Sequence, residues 1–382
     1  MPMSPPNPSL KTQGLLATMA RADSLPAETS ESAQLSLPLQ GQAWDWETGA
    51  ASAVAQGEGG ETAPTLLGVY AAMIVGIRKP GWVDVGRQSW PRLSMRTPAL
   101  PMNEAWLANY RSRVLDQRSI RDQQGEVDST AWMLAPFVRA SLWQMAMLAH
   151  REMPLRVLGA VHTGLELHQR RAFVPGERVS FRFQAVPGVS HARGVEHGLL
   201  FSWHGDDGAE MGRGLSAYLL PQPKVSSERG EGREPALRPA GPATSLLGSR
   251  PDGWDEASGW REVGEPWVLP HDLGRRYAPV SLDYNPIHLW GWSARWLGFR
   301  QPIAHGMALA ARALAEAHPV ARGLGAGEGR LSIQWLKPCL LPRTAQAWMA
   351  QASGGRLFGE LRSDGQTPHL KWSWTPAAGV DR

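Results

Sequence analysis

A single cysteine, Cys339, stands in the 382 residues, so no intrachain disulfide can form and no cysteine-based metal site can be built. That scarcity fits a reducing compartment, and a cytoplasmic location is the expectation. Long hydrophobic runs are lacking too. The most apolar stretch, Leu66 to Ile77, is about a dozen residues, short of the roughly 20 that a membrane-spanning helix needs. The N-terminus opens on prolines with no compact apolar segment, so neither a signal peptide nor membrane insertion is expected. Charge is modest at 19%, the net excess is +4, and the arginines are scattered rather than massed. Nothing has the pattern of an RRM, a zinc module or a basic helix, so nucleic acid is not an expected partner. The small positive excess would suit a phosphate-bearing ligand but by itself specifies none.

What is present is core material: 42% apolar residues and 18 Trp, in a length that suggests two domains with extra tails. Residues 1–65 are rich in Pro, Ser, Gly, Ala and Gln without periodicity and read as a disordered tail. A short helix is expected near Leu67–Val75. In a first unit over 66–221, Leu134, Phe137, Val138, Leu142, Met145 and Leu148 recur at helical period within 131–150. Strands are expected over 161–169, 178–186, 194–203 and 211–220, separated by turn signals such as Pro175-Gly176, Pro187-Gly188 and Gly205–Gly208. Residues 222–259 return to linker composition. The second unit, 260–382, holds a helix over 304–317 stopped by Pro319, then strands over 331–336, 345–352, 356–361 and 369–374. Both units run loop, long helix, strand meander, which is an α+β plan.

The most informative segment is Tyr277-Ala-Pro-Val-Ser281-Leu282-Asp283-Tyr-Asn285-Pro286-Ile-His288. An acid and an imidazole five residues apart, in what reads as a proline-stiffened loop, have the makings of general acid–base catalysis. Asn285 is suited to tying the loop down through side-chain to backbone bonds. On their own, an Asp and a His in such a turn are commonly a cap and a surface residue. A second cluster follows, however: Gly298-Phe299, then Pro302-Ile-Ala-His305-Gly306-Met307 at a helix start.

Together these resemble the MaoC-like hydratases and dehydratases, whose core runs Ser-Gly-Asp-x-Asn-Pro-x-His, a Gly-Phe, and an Ala/Val-His-Gly-Met helix start. Leu282 stands where that pattern has Gly. The resemblance implies a hotdog fold, each half a long helix wrapped by an antiparallel sheet, and here a double hotdog whose first half lacks the motif. It also implies (R)-specific hydration of 2-enoyl thioesters, or dehydration of 3-hydroxyacyl thioesters, as in fatty acid metabolism. The carrier would be coenzyme A or acyl carrier protein, with no cofactor and no metal. Asp283 and His288 are then the proton-handling pair and Gly306 the backbone donor to the thioester oxygen. Ser281, Leu282, Asn285, His305 and Met307 fall beside the substrate. Such a chain could also pair as a homodimer of double hotdogs.

Two other readings stay open. One is a hotdog thioesterase; the other is a non-catalytic acyl-thioester binder or partner subunit, which Leu282 favours. A leucine there would have to adopt positive φ or intrude on a pocket. Trp290, Trp292 and Trp296 read as core at their spacing, and His162, His168 and His197 as bystanders in first-half strands. Lys337 and Arg343 flank a strand end and read as ordinary exposed charges rather than phosphate contacts.

Overall fold

The computed structural model describes residues 64–115, 133–221, 246–247, 251 and 253–377, apart from 82, 84, 86–87, 89, 92, 192, 318–323 and 326. Nearly all of the expected tail, most of the expected linker and Pro319 lie outside the described residues.

The first unit opens with α1 (Leu66–Val75), whose first turn is closed by the Thr65 hydroxyl accepting from Gly68 N–H at 3.1 Å. Short strands β1 (Ser94–Arg96) and β2 (Leu100–Pro101) precede α2 (Glu104–Val114), capped in the same way by Asn103. The expected long helix is two pieces, α3 (Ala135–Arg139) and α4 (Ser141–Ala149), broken at Ala140. Four strands follow: β3 (Val161–Gln169), β4 (Arg178–His191), β5 (Gly194–His204) and β6 (Glu210–Pro221). The second unit contains β7 (Ser258–Leu269), α5 (Leu273–Ser281), α6 (Gly291–Trp296) and α7 (Gly306–Ala317). Its meander is β8 (Gly329–Trp335), β9 (Arg343–Gln351), β10 (Leu357–Ser363) and β11 (Thr367–Pro376).

All of these strands join one antiparallel sheet ordered β1-β4-β5-β6-β3-β8-β11-β10-β9-β7, with β2 paired to β4. Outward from the β3–β8 seam the halves repeat: the strand after the long helix, then the last, third and second of its meander, then a flanking strand. This is the α+β double hotdog. At the seam Leu165 faces Ile333 and Leu167 faces Leu331, all four buried, so apolar burial welds the halves. The corresponding helices α2 and α5 pack on one another and bury Tyr110 and Tyr277.

The alanines of α7 let its neighbours close around nearly its whole circumference, α2 as well as strands β7, β10 and β11. Its buried Arg312 is paired with Glu316 at 2.9 Å and lies over the Trp267 ring, while Glu316 accepts the Trp267 indole N–H at 2.8 Å. That network satisfies charges which burial would otherwise penalise.

Three expectations change. Pro187-Gly188 is no turn: β4 continues to His191, and the pair sits at a bulge where the register to β5 shifts between Val186 and Val189, a place where a strand tolerates proline. β7 was not expected; it is a largely exposed edge strand with two register shifts, so it carries no alternating pattern. The segment read as linker also has packed parts. Leu247 is buried against Leu215 and Ala217, and Trp254 meets Trp260 and Phe358. Among the described residues no helix is long and apolar enough to cross a membrane.

Candidate active site

The acid–imidazole segment is half helix and half loop. α5 runs through Ser281 with Pro279 inside it, so the first residues of the stretch read as loop are helical. Leu282 ends the helix in the left-handed region, at φ 56° and ψ 14°, with its N–H on the Ala278 carbonyl at 2.7 Å. A leucine there costs roughly 1–2 kcal/mol relative to a right-handed conformation. Its side chain packs against the main core and is not among the groups lining the cavity. The Leu282 backbone thus follows the path a glycine would take, and its side chain does not intrude on the site.

Beyond Leu282 the chain is tied residue by residue. Asp283 N–H donates to Ser281 Oγ at 3.2 Å, Asn285 N–H to Asp283 Oδ1 at 3.0 Å, and Ile287 N–H to Asn285 Oδ1 at 3.4 Å. Pro286–His288 forms one 3₁₀ turn. The loop lies so close to α5 that a Cβ on Gly274 would sit 2.0 Å from the His288 carbonyl oxygen, which explains the glycine. From the other half, the Tyr70 hydroxyl of α1 donates to the Leu282 carbonyl at 3.2 Å and accepts from Tyr284 N–H. Asp283 is therefore bracketed by two bonds to one phenol that the motif does not contain. Removing that phenolic oxygen releases both anchors. Tyr70→Phe is expected to lower turnover about tenfold while circular dichroism stays native, the scale for a slightly misplaced catalytic group.

His288 is buried, and its Nδ1 is 2.8 Å from the Ile303 carbonyl, which can only accept. In the neutral ring Nδ1 therefore carries the proton and Nε2 presents its lone pair. Nε2 lies 3.8 Å from Asp283 Oδ2, too far for a direct hydrogen bond and suited to a bridging water. Burial lowers the His288 pKa, with Asp283 and the Ile303 carbonyl working against that shift. His305 stacks on His288 with ring centres 3.8 Å apart, and its Nε2–H donates to the Asp283 carbonyl at 2.9 Å. Burial first, and then the neighbouring His288, push the His305 pKa down to about 3. The Asp283 carboxyl is 31% exposed against 9% for His288 and 3% for His305, so the acid alone of the three meets solvent to any extent.

Gly306 begins α7, where the first N–H groups have no intrahelical acceptor and the dipole is positive. Its missing side chain makes room for an indole: a Cβ would lie 2.5 Å from Trp335 Nε1. Asp283, His288 and Gly306 all line one cavity of about 210 Å³, together with Ser281, Asn285, His305 and Met307. The far wall comes from the first half and includes His162 and His197, which the sequence gave no reason to place there. Lys337 also lines the cavity, whereas Arg343 pairs with Asp364 and His168 with Glu328. Trp290, Trp292 and Trp296 are exposed, at 44%, 67% and 70%, and contradict the core reading. They surround the short α6, with too little chain to wrap them.

Ligand atoms of Asp283, His288 and His305 fall within 4.8 Å of one another, close enough to be tested as a metal set. The donor chemistry fits poorly. His305 turns Nε2 toward Asp283 Oδ2, but that nitrogen holds the proton given to the Asp283 carbonyl.

Buried neutral histidines make the fold acid-sensitive. Burial pushes His162 and His305 down to about 3 and His197 to about 4. Between those values and about 6.5 the unfolded chain binds protons that the folded one refuses. Stability is thus full above about pH 6.5 and falls on acidification by on the order of 1.4 kcal/mol per ring per pH unit. Urea titrations followed by tryptophan fluorescence are expected to show the midpoint dropping steeply from pH 6.5 to 4.5; a flat midpoint would contradict the neutral assignment.

The fold and site define a double-hotdog protein with an aspartate–histidine pair at the mouth of a helix. The MaoC like domain family matches residues 262–365. The 3-hydroxyacyl-thioester dehydratase X of Mycobacterium tuberculosis is 30% identical over 230 residues, covering 58% of this chain and 70% of that protein. A crystal structure of HtdX from the same organism superposes with a TM-score of 0.56 at 22% identity, covering 74% of this chain and 100% of the other. A MaoC-like dehydratase from Phytophthora capsici gives a TM-score of 0.53 at 13% identity, with 75% and 96% covered. The chain belongs to the MaoC-like dehydratases.

Proposed function

We propose that this chain catalyses the reversible hydration of 2-enoyl thioesters, equally the dehydration of 3-hydroxyacyl thioesters, as a hydro-lyase of fatty acid metabolism. The observation that carries it is the 3.8 Å gap between the lone pair of His288 Nε2 and Asp283 Oδ2, inside the cavity that Gly306 also lines. A water in that gap has two proton acceptors and a fixed direction of attack. Its oxygen bonds to C3 of the enoyl group as its proton passes to the Asp283–His288 pair. The resulting enolate takes a proton from that pair at C2, which restores both residues. Charge on the thioester oxygen during the step is held by Gly306 N–H at the start of α7. Dehydration runs the same path backwards. Ser281 and Asn285 hold the acid in place through the loop bonds, and His305 does so from the other side. The chemistry needs no metal and no cofactor.

Coenzyme A and acyl carrier protein share a pantetheine thioester, and that common part is the proposed substrate feature. The test is loss of the enoyl-thioester ultraviolet band when purified protein meets crotonyl-CoA and crotonyl-pantetheine, with thiol release followed in parallel. Band loss without free thiol is the expected result. Thiol release would make the chain a thioesterase. Neither signal, with measurable binding, would make it an acyl-thioester binder.

A further inference from the structure

The wall of the cavity opposite the proton-handling pair joins apolar side chains such as Met73, Phe137 and Met145 to a row of rings with polar atoms. Four neighbouring strands of the sheet, β8, β3, β6 and β5, each put a ring there. Trp335 lies 4.2 Å from His162, His162 is 4.8 Å from Tyr218, and Tyr218 is 6.0 Å from His197, between ring centres. Trp335 touches Gly306 at the reacting end. His197 is three strand spacings further on, roughly 14 Å at about 4.8 Å each, so the row runs from the reacting end into the first half.

The two middle rings of this row have partners, whereas the Trp335 indole N–H at the reacting end has none among the described residues. His162 Nε2 is 2.8 Å from Ser216 Oγ, the Tyr218 hydroxyl donates to Gln144 Oε1 at 3.1 Å, and Gln144 Nε2 donates to the Phe137 carbonyl at 2.8 Å. His197 differs. It lines the cavity, is 3% exposed, and neither ring nitrogen has a hydrogen-bond partner among the described residues. Burial holds its pKa down to about 4, so the ring is neutral and offers one N–H and one lone pair. A buried polar group with no partner is costly to keep, and here its ring borders the space a ligand would fill.

We infer that His197 reads an uncharged oxygen, a hydroxyl or keto group, carried on the acyl chain well beyond the thioester, so that the preferred substrates are oxygenated acyl thioesters. This rests on the thioester reading of the same cavity. A hydroxyl matches the imidazole best, since it can accept from the N–H or donate to the lone pair. A site that hydrogen-bonds a substrate oxygen also discriminates strongly against the analogue lacking it, because its own polar group is then left unpaired.

The experiment is binding of saturated acyl-pantetheine thioesters, hexanoyl to dodecanoyl, each with and without an ω-hydroxyl, by calorimetry on the full chain. At the matching length the hydroxylated ligand is expected to bind at least about tenfold more tightly than its alkyl counterpart. His197→Leu should abolish that preference, and His197→Asn, which keeps a donor and an acceptor, should retain most of it. Melting curves check that both variants fold, and replacing an unpaired buried ring with leucine is not expected to lower the midpoint. Equal or tighter binding of the alkyl ligands at every length, or an unchanged preference in His197→Leu, would overturn the inference. Because saturated ligands do not react, a hydroxyl preference without crotonyl-CoA hydration would remove the hydratase reading and leave this one standing. Hydration without the preference would do the reverse.

Discussion

Asp283→Asn and His288→Ala are each expected to lower hydration turnover at least about a hundredfold, the usual scale for losing a general acid–base group. The asparagine keeps the shape of the side chain and can still accept from Asn285 N–H, so the loop survives while the carboxylate's proton affinity is gone. The alanine loses the Nε2 lone pair that faces Asp283 at 3.8 Å and the anchor of Nδ1 on Ile303. Turnover of the double variant separates a cooperating pair from two independent groups: a pair gives losses well short of multiplicative. Wild-type rates in either folded single variant would remove that residue from the mechanism. Burial lowers the His288 pKa, so its neutral ring, the form with the bare Nε2, persists below the ordinary histidine range. Activity should therefore hold through pH 6.5 and fall only at lower pH.

Gly306→Ala is expected to cost on the order of a hundredfold in kcat, the scale of losing one oxyanion donor. Alanine keeps the N–H, so the loss reports displacement of the donor. The new methyl would lie 2.5 Å from Trp335 Nε1 and 2.8 Å from Cδ1, too close to remain there. Either the helix start withdraws from the cavity or the indole turns into it. Gly306→Ala combined with Trp335→Leu gives the methyl room and should recover part of the rate. A wild-type kcat for Gly306→Ala alone would show that the indole yields and that the reacting oxygen does not need the glycine's close approach.

Much of the second half was legible in sequence because its chemistry is local. Asp283, Asn285 and His288 lie on one short segment whose turns are set by side-chain bonds two residues away, and Gly306 heads a helix whose alanines announce close packing. The strand meanders were legible as well, since β3 to β6 and β8 to β11 carry apolar residues between clear turns. β7 was not: an edge strand with two bulges and a proline buries little and keeps no period. The pair Pro187-Gly188 misled for a related reason, because a bulge and a turn use the same residues. For Leu282, the sequence posed a choice between strained backbone and an obstructed pocket; the structure takes the strained backbone.

The sequence by itself determined the repeated helix-and-meander plan, the family and the position of the acid–imidazole segment, because each depends on patterns within a few tens of residues. Tertiary structure alone decided what stands around that segment. Tyr70 lies more than two hundred residues before Leu282 and holds it by hydrogen bonds that no local pattern encodes. His162, Tyr218 and His197 meet the site because a continuous sheet sets strands β3, β6 and β5 side by side. Such neighbours are fixed by the packing of distant strands and helices, where burial rather than chain proximity chooses the partner.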